Sequence, residues 1–159
     1  DPDAYRFGGG VGKPLELVLK TMKAGDVVVM DLDGATNASA WGGLASRLAQ
    51  RRGVRGTIMW GTCRDLEEIR AVGYPVWAVG VCPRRSRNDF AFGSINQDIT
   101  INGVVIQPGD YVVADESGAV CVPQARGEEV LTLVERIEMQ ERILEQQVRD
   151  DVVSSWDQV

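Results

Sequence analysis

Arg64 and Asp65 are the residues of this sequence with the clearest chemical potential. They come shortly after the apolar stretch 54–60, where a buried strand is predicted to end. A carboxylate can bind a divalent metal and a guanidinium can bind an anion, so an adjacent pair can hold a small anion beside a metal. The structural alternative is that Asp65 N-caps a helix over 66–72, with Glu68 completing a capping box.

Gly42 and Gly43 are predicted to lie in the first turn of a helix that precedes this strand. Each glycine costs about 1 kcal/mol of helix propensity relative to alanine. Bare backbone at a helix start lets an anion approach the N–H groups closely, although tight packing against a neighbouring element explains the glycines equally well. We expect Asn37 or Ser39 to cap this helix. Its expected core face is Leu44, Leu48 and Ala49.

The residue types that are missing narrow the chemistry further. The chain contains no histidine, which excludes Ser-His and Cys-His nucleophiles and histidine metal sites within one subunit. All the lysines lie within the first 23 residues, on a predicted solvated helix face, which disfavours a buried Schiff-base lysine. Cys63, Cys82 and Cys121 are widely separated and form no CxxC pair, which is typical of reduced thiols in a cytoplasmic protein.

Length and charge predict a single soluble domain with no overall attraction to nucleic acid or anionic lipid. The chain has 159 residues, 44% of them hydrophobic and 25% charged, which suits one core of ordinary size. Its net charge of −6 gives no overall attraction to nucleic acid, and no apolar run approaches the roughly 18 residues that span a bilayer. The arginines of segment 83–87 form a dense basic cluster, either a solvated rim or an attractor for an anionic ligand.

The pattern of elements is that of an α/β protein. A helix is predicted from Pro14, followed by a buried strand over 27–30 with Asp31 and Asp33 at its end, where they form a turn or face a site. Later strands are predicted over 54–60, 76–81, 99–101, 104–106, 111–114 and 119–122, with a hairpin turn at Asn102-Gly103. Helices and hairpins together predict a mixed, layered domain.

The two ends of the chain differ in their patterns. Residues 1–13 predict a flexible lead-in, because the run GGGVGK lacks the first glycine, the Ser or Thr and the preceding strand of a phosphate-binding loop. A single domain is expected over 14–150, ending in a charged helix over 126–150, and 151–159 is expected to be a tail. Glu141 falls near the middle of the apolar stripe of that helix, so it meets a cation, water or another subunit, or lies beyond the core.

Several motifs, in order, resemble the RraA-like family, which includes 4-hydroxy-4-methyl-2-oxoglutarate aldolases and the ribonuclease E regulator RraA. They are GDVVVMDLDG, WGGLA, RGVRGTIMWGTCRD, YPVWAVG and NGVVIQPGDYVVADESGAVCVP, and the similarity extends from about residue 14 to 146. The resemblance implies an α/β/β/α layered sandwich of the swivelling β/β/α type, assembled as homotrimers or homohexamers with sites between subunits. It also implies that the lead-in is shorter than usual for the family.

The resemblance also implies the roles of individual residues. Asp65 would bind Mg²⁺ or Mn²⁺ through waters, and Arg64 would contact a keto acid. A glutamate of the adjacent subunit's last helix, Glu141 or its competitor Glu138, would order the metal waters; Glu141 is favoured by its place on the apolar face. The backbone amides that would hold the substrate carboxylate are those of Gly42, Gly43, Leu44 and Ala45.

Gly43 is a departure from the family pattern. Catalytic members carry an acidic residue there, which would orient or deprotonate a metal-bound water, and Asp31 or Asp33 would have to substitute for it. The resemblance therefore implies a class II, metal-dependent lyase that cleaves a C–C bond of a short 2-oxo acid, as aldolase or oxaloacetate decarboxylase, through a pyruvate enolate. The alternative is a non-catalytic regulator that binds a protein such as a ribonuclease, which the loss of the acid at Gly43 favours.

Overall fold

The fold is seen in a computed structural model that describes residues 17–18, 20–86, 89–90, 93–152 and 155. The predicted lead-in over 1–13, the start of the first predicted helix at Pro14 and most of the predicted tail lie outside the described residues. Leu17, Val18, Lys20 and Thr21 are helical, which agrees with a helix in this region. Across the described part of the chain, strands and helices alternate and then hairpins follow, so the predicted α/β class is confirmed.

Two compact units make up the chain. The described residues of the first fall within Asp1–Pro108 and Val112–Val120, and those of the second within Gly109–Tyr111 and Cys121–Val159. The single domain expected over 14–150 stays a prediction.

A three-stranded parallel sheet organises the first unit. Strands β1 (Val27–Trp41), β2 (Gly56–Cys63) and β3 (Val76–Val81) lie side by side in that order. Helix α1 (Gly43–Arg51) connects β1 to β2, and helix α2 (Leu66–Val72) connects β2 to β3. Parallel neighbours require such crossovers, and both helices begin where a strand has just ended at the same edge of the sheet.

Strand β1 is longer than the predicted strand over 27–30. After Asp31 its register against β2 shifts three times, so that Ala35 pairs with Gly61, Ser39 with Thr62 and Trp41 with Cys63. The expectation that Asn37 or Ser39 caps helix α1 is therefore wrong, because both residues lie within β1. The N-cap is Gly42, which makes no side-chain capping bond.

Strand β2 likewise extends three residues beyond the predicted end at Trp60. Thr62 and Cys63 are paired on both sides, with β1 and with Gly80 and Val81 of β3. This pairing keeps the backbone extended up to Cys63. Arg64 and Asp65 therefore lie immediately after the end of the strand.

The core of the first unit lies between the sheet and its helices. Trp41 is fully buried and stacks on Tyr74, with ring centroids 6.3 Å apart. The predicted core face of helix α1 is wrong at Leu44, which is 69% exposed; Ala45, Ser46 and Ala49 are the buried residues of its face. Other buried residues of the cluster are Val28, Ala40, Val54, Met59, Cys63 and Ile69.

Two hairpins and a long helix complete the chain. Strands β4 (Ile99–Ile101) and β5 (Val104–Ile106) pair in antiparallel fashion across Asn102-Gly103, whose φ angles of 50° and 80° are those of the predicted tight turn. Strands β6 (Tyr111–Asp115) and β7 (Gly118–Val122) form a second two-stranded sheet. Helix α3 (Gly127–Arg149) matches the predicted C-terminal helix closely, and a short 3-10 helix (Gln124–Arg126) precedes it.

Candidate active site at the end of the parallel sheet

The start of helix α1 is fixed by a short chain of buried hydrogen bonds. The indole Nε1 of Trp41 donates to Ser46 Oγ at 2.9 Å, and that hydroxyl donates to the carbonyl of Gly42 at 3.1 Å. The backbone N–H of Arg64 donates to the carbonyl of Trp41 at 3.0 Å. Strand β1, helix α1 and the Arg-Asp pair are therefore held together at one point.

Asp65 faces helix α1 rather than its own helix. Its backbone is left-handed, with φ 60° and ψ 44°, and its side chain makes no capping bond to helix α2. Its Oδ2 instead accepts a hydrogen bond from the N–H of Gly43 at 3.2 Å. Asp65 therefore occupies the predicted N-cap position of helix α2, but the predicted side-chain cap and capping box are wrong. A carboxylate at the positive end of α1 is favourably placed electrostatically.

The Arg64 guanidinium contacts two side chains, those of Asp65 and Ser39. Its Nε lies 3.3 Å from Asp65 Oδ2, and its Nη1 donates to the Oγ of Ser39 at 3.4 Å. The Arg64 side chain is only 24% exposed. Ser39 is completely buried, and its Oγ donates to the carbonyl of Arg84 at 3.1 Å. The guanidinium is therefore positioned by the protein and is no mobile surface group.

The two glycines leave room for two carboxylates. A Cβ added to Gly42 would lie 2.5 Å from Asp65 Oδ2 and 3.1 Å from Cγ of Arg64. A Cβ added to Gly43 would lie 2.7 Å from the Cβ of Glu68 and would collide with its Oε2. Asp65 thus lies over Gly42 and Glu68 over Gly43, so close packing accounts for both glycines.

Other predicted carboxylates have different surroundings. Asp31 accepts a hydrogen bond from the N–H of Asp33 at 2.9 Å, and Asp33 has a φ of 55°. The pair lies within β1 at its first register shift, so the predicted turn at the end of a strand is wrong. Within the described residues, no group of three or more His, Cys, Asp or Glu side chains could hold a metal. Asp31 and Asp33 therefore do not form such a group with Asp65.

Glu141 lies in helix α3, in the second unit, and its side chain is exposed. No described residue forms an ion pair with it, whereas its competitor Glu138 pairs with Arg142 at 3.5 Å. Val134, Ile137 and Val148 of the predicted apolar stripe are also exposed. A role for Glu141 in a neighbouring subunit's site stays a prediction.

Arg84, in the basic segment after β3, makes contacts within the fold. Its Nη1 donates to the carbonyl of Asn37 at 3.0 Å and its Nη2 lies 2.6 Å from Asp89 Oδ1. Ser86 donates from its N–H and its Oγ to the carbonyl of Ser39, at 3.2 and 2.9 Å. This segment therefore braces the end of β1, and Arg87 lies outside the described residues.

Cys63 directly precedes the Arg-Asp pair in the sequence, and its side chain is buried. Burial raises the pKa of its thiol above the ordinary value, and the negative charge of Asp65 raises it further. The thiol is therefore protonated at neutral pH, which makes it a poor nucleophile. All three cysteines are free.

Sequence reasoning missed two residues of this region, Glu68 and Ser39. The spacing of Glu68, three residues after Asp65, is the available signal, but that spacing also fits a capping box. Ser39 gives no such signal, because its contacts come from Arg84 and Ser86, which are distant in sequence.

The chain is an α/β protein in which a parallel sheet carries an Arg-Asp pair at its strand ends, packed against a glycine-opened helix. Residues 12–121 match the RraA-like (Aldolase/RraA) family, and the chain belongs to that family. The resemblance found in the sequence is therefore confirmed.

Two relatives show how much of the chain the sequence similarity covers. The chain is 32% identical over 107 residues to a 4-hydroxy-4-methyl-2-oxoglutarate aldolase of Thermus thermophilus, covering 67% of this chain and 65% of that protein. It is 32% identical over 128 residues to protein DlpA of Legionella pneumophila, covering 80% of this chain and 20% of DlpA. The chain thus spans less than two thirds of the length of these relatives.

Solved structures support the same assignment. RraAS2 of Streptomyces coelicolor, an unusual member of the RNase ES inhibitor RraA family, superimposes with a TM-score of 0.76 at 29% identity, covering 84% of this chain and 68% of its own. The RNA-processing inhibitor RraA of Thermus thermophilus gives 0.65 at 30% identity, covering 70% and 67%. The family therefore includes aldolases and regulators of RNA processing.

Among the described residues, no helix combines the length and the apolar character needed to cross a bilayer.

Proposed function

We propose that this protein is a metal-dependent lyase that cleaves a C–C bond of a short 2-oxo acid and releases pyruvate. The observation that carries the proposal is the position of Asp65, whose left-handed backbone places its carboxylate beside Arg64 at the start of helix α1. The aldolase name of the Thermus thermophilus relative supports this class of substrate.

The residues present fit a divalent metal such as Mg²⁺ or Mn²⁺. The side chain of Asp65 is 36% exposed, so solvent reaches this carboxylate. A single protein carboxylate with oxygen ligands from water is the kind of site that Mg²⁺ uses, because it keeps most of its hydration shell. Asp65 would hold the metal, which when bound supplies Lewis-acid polarisation of the substrate's keto group.

Arg64 and helix α1 would bind and orient the substrate. The guanidinium of Arg64, fixed by Asp65 and Ser39, would stabilise the negative charge that develops on the enolate oxygen. The first N–H groups of a helix lack partners within the helix and attract anions. Since the N–H of Gly43 already donates to Asp65, we assign the substrate carboxylate to the N–H groups of Leu44 and Ala45.

Assembly would complete this site. We infer a homotrimer or homohexamer in which Glu141 of one subunit approaches the Arg-Asp pair of the next. Retro-aldol cleavage of a 4-hydroxy-2-oxo acid and decarboxylation of oxaloacetate pass through the same pyruvate enolate, so one site can perform both reactions.

Pyruvate release tests the proposal directly. It is measured by lactate dehydrogenase coupling from 4-hydroxy-4-methyl-2-oxoglutarate and from oxaloacetate, with Mg²⁺ or Mn²⁺ and again with EDTA. We expect metal-dependent turnover in the wild type, its loss in Asp65→Asn, and retention in the matched charge variant Glu67→Gln. Turnover that EDTA leaves unchanged would refute the lyase; equal rates for both variants would remove Asp65 from the site.

The second candidate function is a non-catalytic regulator that binds a protein such as a ribonuclease. It is favoured by the structural similarity to the RNA-processing inhibitor RraA and by the absence of a carboxylate on Gly43 itself. A protein of this kind would lack pyruvate release with every metal and would inhibit a ribonuclease in a cleavage assay. Running both assays on the same preparation distinguishes the two functions.

A further inference from the structure

Glu68 occupies the space that a side chain at position 43 would fill. Its Cβ lies 2.7 Å from the position of a Cβ on Gly43, and its Oε2 lies within that same volume. Gly43 is buried, and its φ is not among the positive ones, so backbone conformation does not explain the glycine. What requires glycine there is the side chain of Glu68, which crosses from helix α2 to the start of helix α1.

Glu68 is held in this place without an electrostatic partner. In the part of the chain that the structure describes, no hydrogen bond or ion pair involves its carboxylate, although Glu129, Glu138 and Glu145 all pair with arginines. The side chain is exposed and can meet solvent or a ligand. A carboxylate that is positioned by packing and has no partner can accept and return a proton.

The neighbouring groups are already engaged. Asp65 contacts Arg64 and the N–H of Gly43. The Cys63 thiol is buried, and the chain has no histidine. Among the described acids beside the start of helix α1, Glu68 therefore remains for proton transfer.

We propose that Glu68 is the proton-transferring catalytic residue of this site, a proposal that rests on the lyase function above. In the retro-aldol direction its carboxylate takes the proton of the substrate's 4-hydroxyl group. The O–H electron pair becomes the new carbonyl bond, the C3–C4 bond breaks, and its electrons form the enolate of pyruvate. Glu68 then returns the proton to C3, so one oxo acid and pyruvate leave and no net proton is consumed.

The test compares Glu68→Gln with Glu67→Gln, its exposed neighbour on the same helix. General acid–base catalysis contributes about 10²- to 10⁴-fold, so we expect kcat for pyruvate release to fall at least about 100-fold in Glu68→Gln. We expect KM and the affinity for Mn²⁺ alone, measured by electron paramagnetic resonance, to stay within about threefold of wild type. The melting temperature should match that of wild type. The Glu67→Gln variant should match wild type in all four measurements.

The outcomes separate this proposal from the lyase itself. Absence of metal-dependent turnover in wild type defeats the lyase function. An active wild type with Glu68→Gln as fast as Glu67→Gln overturns the role of Glu68 alone. A Glu68→Gln variant that loses Mn²⁺ affinity as strongly as turnover also overturns it, because Glu68 would then be a metal ligand.

A relocated acid provides the second test. In the double variant Gly43→Asp with Glu68→Gly, a carboxylate enters the same space from helix α1, because glycine at 68 removes the Cβ that would collide. We expect at least about tenfold more turnover in the folded double variant than in Glu68→Gly, whose own rate is as low as that of Glu68→Gln. Equal rates of Glu68→Gly and wild type would overturn the proposal.

Discussion

Gly42→Ala is the perturbation that most directly tests how the Arg-Asp pair is held. Gly42 has an extended backbone, with φ −169° and ψ −171°, so alanine is conformationally allowed and only packing opposes it. Its new Cβ would lie 2.5 Å from Asp65 Oδ2, whereas ordinary contact begins at 3.4 Å. The carboxylate must therefore move by about 0.9 Å, the difference between those two distances.

Such a shift removes the contacts of Asp65. The hydrogen bond from the Gly43 N–H is already 3.2 Å long and would break. Overpacking in a close-packed region costs about 1–3 kcal/mol, and a hydrogen bond to a charged group contributes about 1.5–3 kcal/mol when buried. Since Asp65 is one-third exposed, we expect about 1–3 kcal/mol in total. Displacing a metal-holding carboxylate should also weaken Mn²⁺ binding about tenfold or more.

Urea unfolding and Mn²⁺ titration measure the two effects, with Gly80→Ala as the matched control. A Cβ on Gly80 would lie 3.8 Å from Cγ2 of Thr62, which is ordinary contact, so that variant should change stability by less than about 1 kcal/mol. If Gly42→Ala were as stable as Gly80→Ala and bound Mn²⁺ like wild type, the close approach of Asp65 to Gly42 would not constrain the site, and the reasoning would be refuted.

Two other predictions follow from the backbone of Asp65 and the burial of Tyr74. Left-handed backbone costs a residue with a Cβ about 1–2 kcal/mol, and Asn and Asp tolerate it best, so Asp65→Ala should be less stable in urea than Asp65→Asn by about 1 kcal/mol; equal stability would contradict this. Burial raises the pKa of the Tyr74 phenol, although its hydrogen bond with Thr57 lowers it. The protonated phenol therefore stabilises the fold fully below about pH 10, and this contribution is lost as pH rises through the raised pKa. The stability advantage of wild type over Tyr74→Phe should shrink above about pH 10 in urea titrations, and a constant advantage would contradict the assignment.

Local patterns predicted the parts of the site that depend on neighbouring residues. The apolar residues of β2 indicated a buried strand that leads to Arg64 and Asp65, and Asn102-Gly103 correctly marked a hairpin. Helix α2 begins and ends where its pattern indicated. These features follow from periodicity and turn chemistry within a few residues.

Features that depend on distant pairing were not predictable from local patterns. Residues 35–40 are small or polar and locally resemble a helix cap, yet pairing with β2 and with segment 84–86 makes them part of β1. The same limit applied to Glu68. A capping box is the local solution for Asp65 and Glu68, but the left-handed backbone of Asp65 turns its side chain toward helix α1 instead.

The buried Ser39 has a consequence for which changes the protein tolerates. Its hydroxyl contacts Arg64, while its backbone and side chain are bound by Arg84 and by Ser86, about 45 residues further along the chain. A one-residue insertion or deletion between β3 and Ser86 would shift these partners out of alignment and loosen the guanidinium without altering any site residue. Length variation among natural or engineered versions should therefore be rarer in this connection, which positions Arg64, than at the Asn102-Gly103 turn, whose length sets the pairing of β4 with β5.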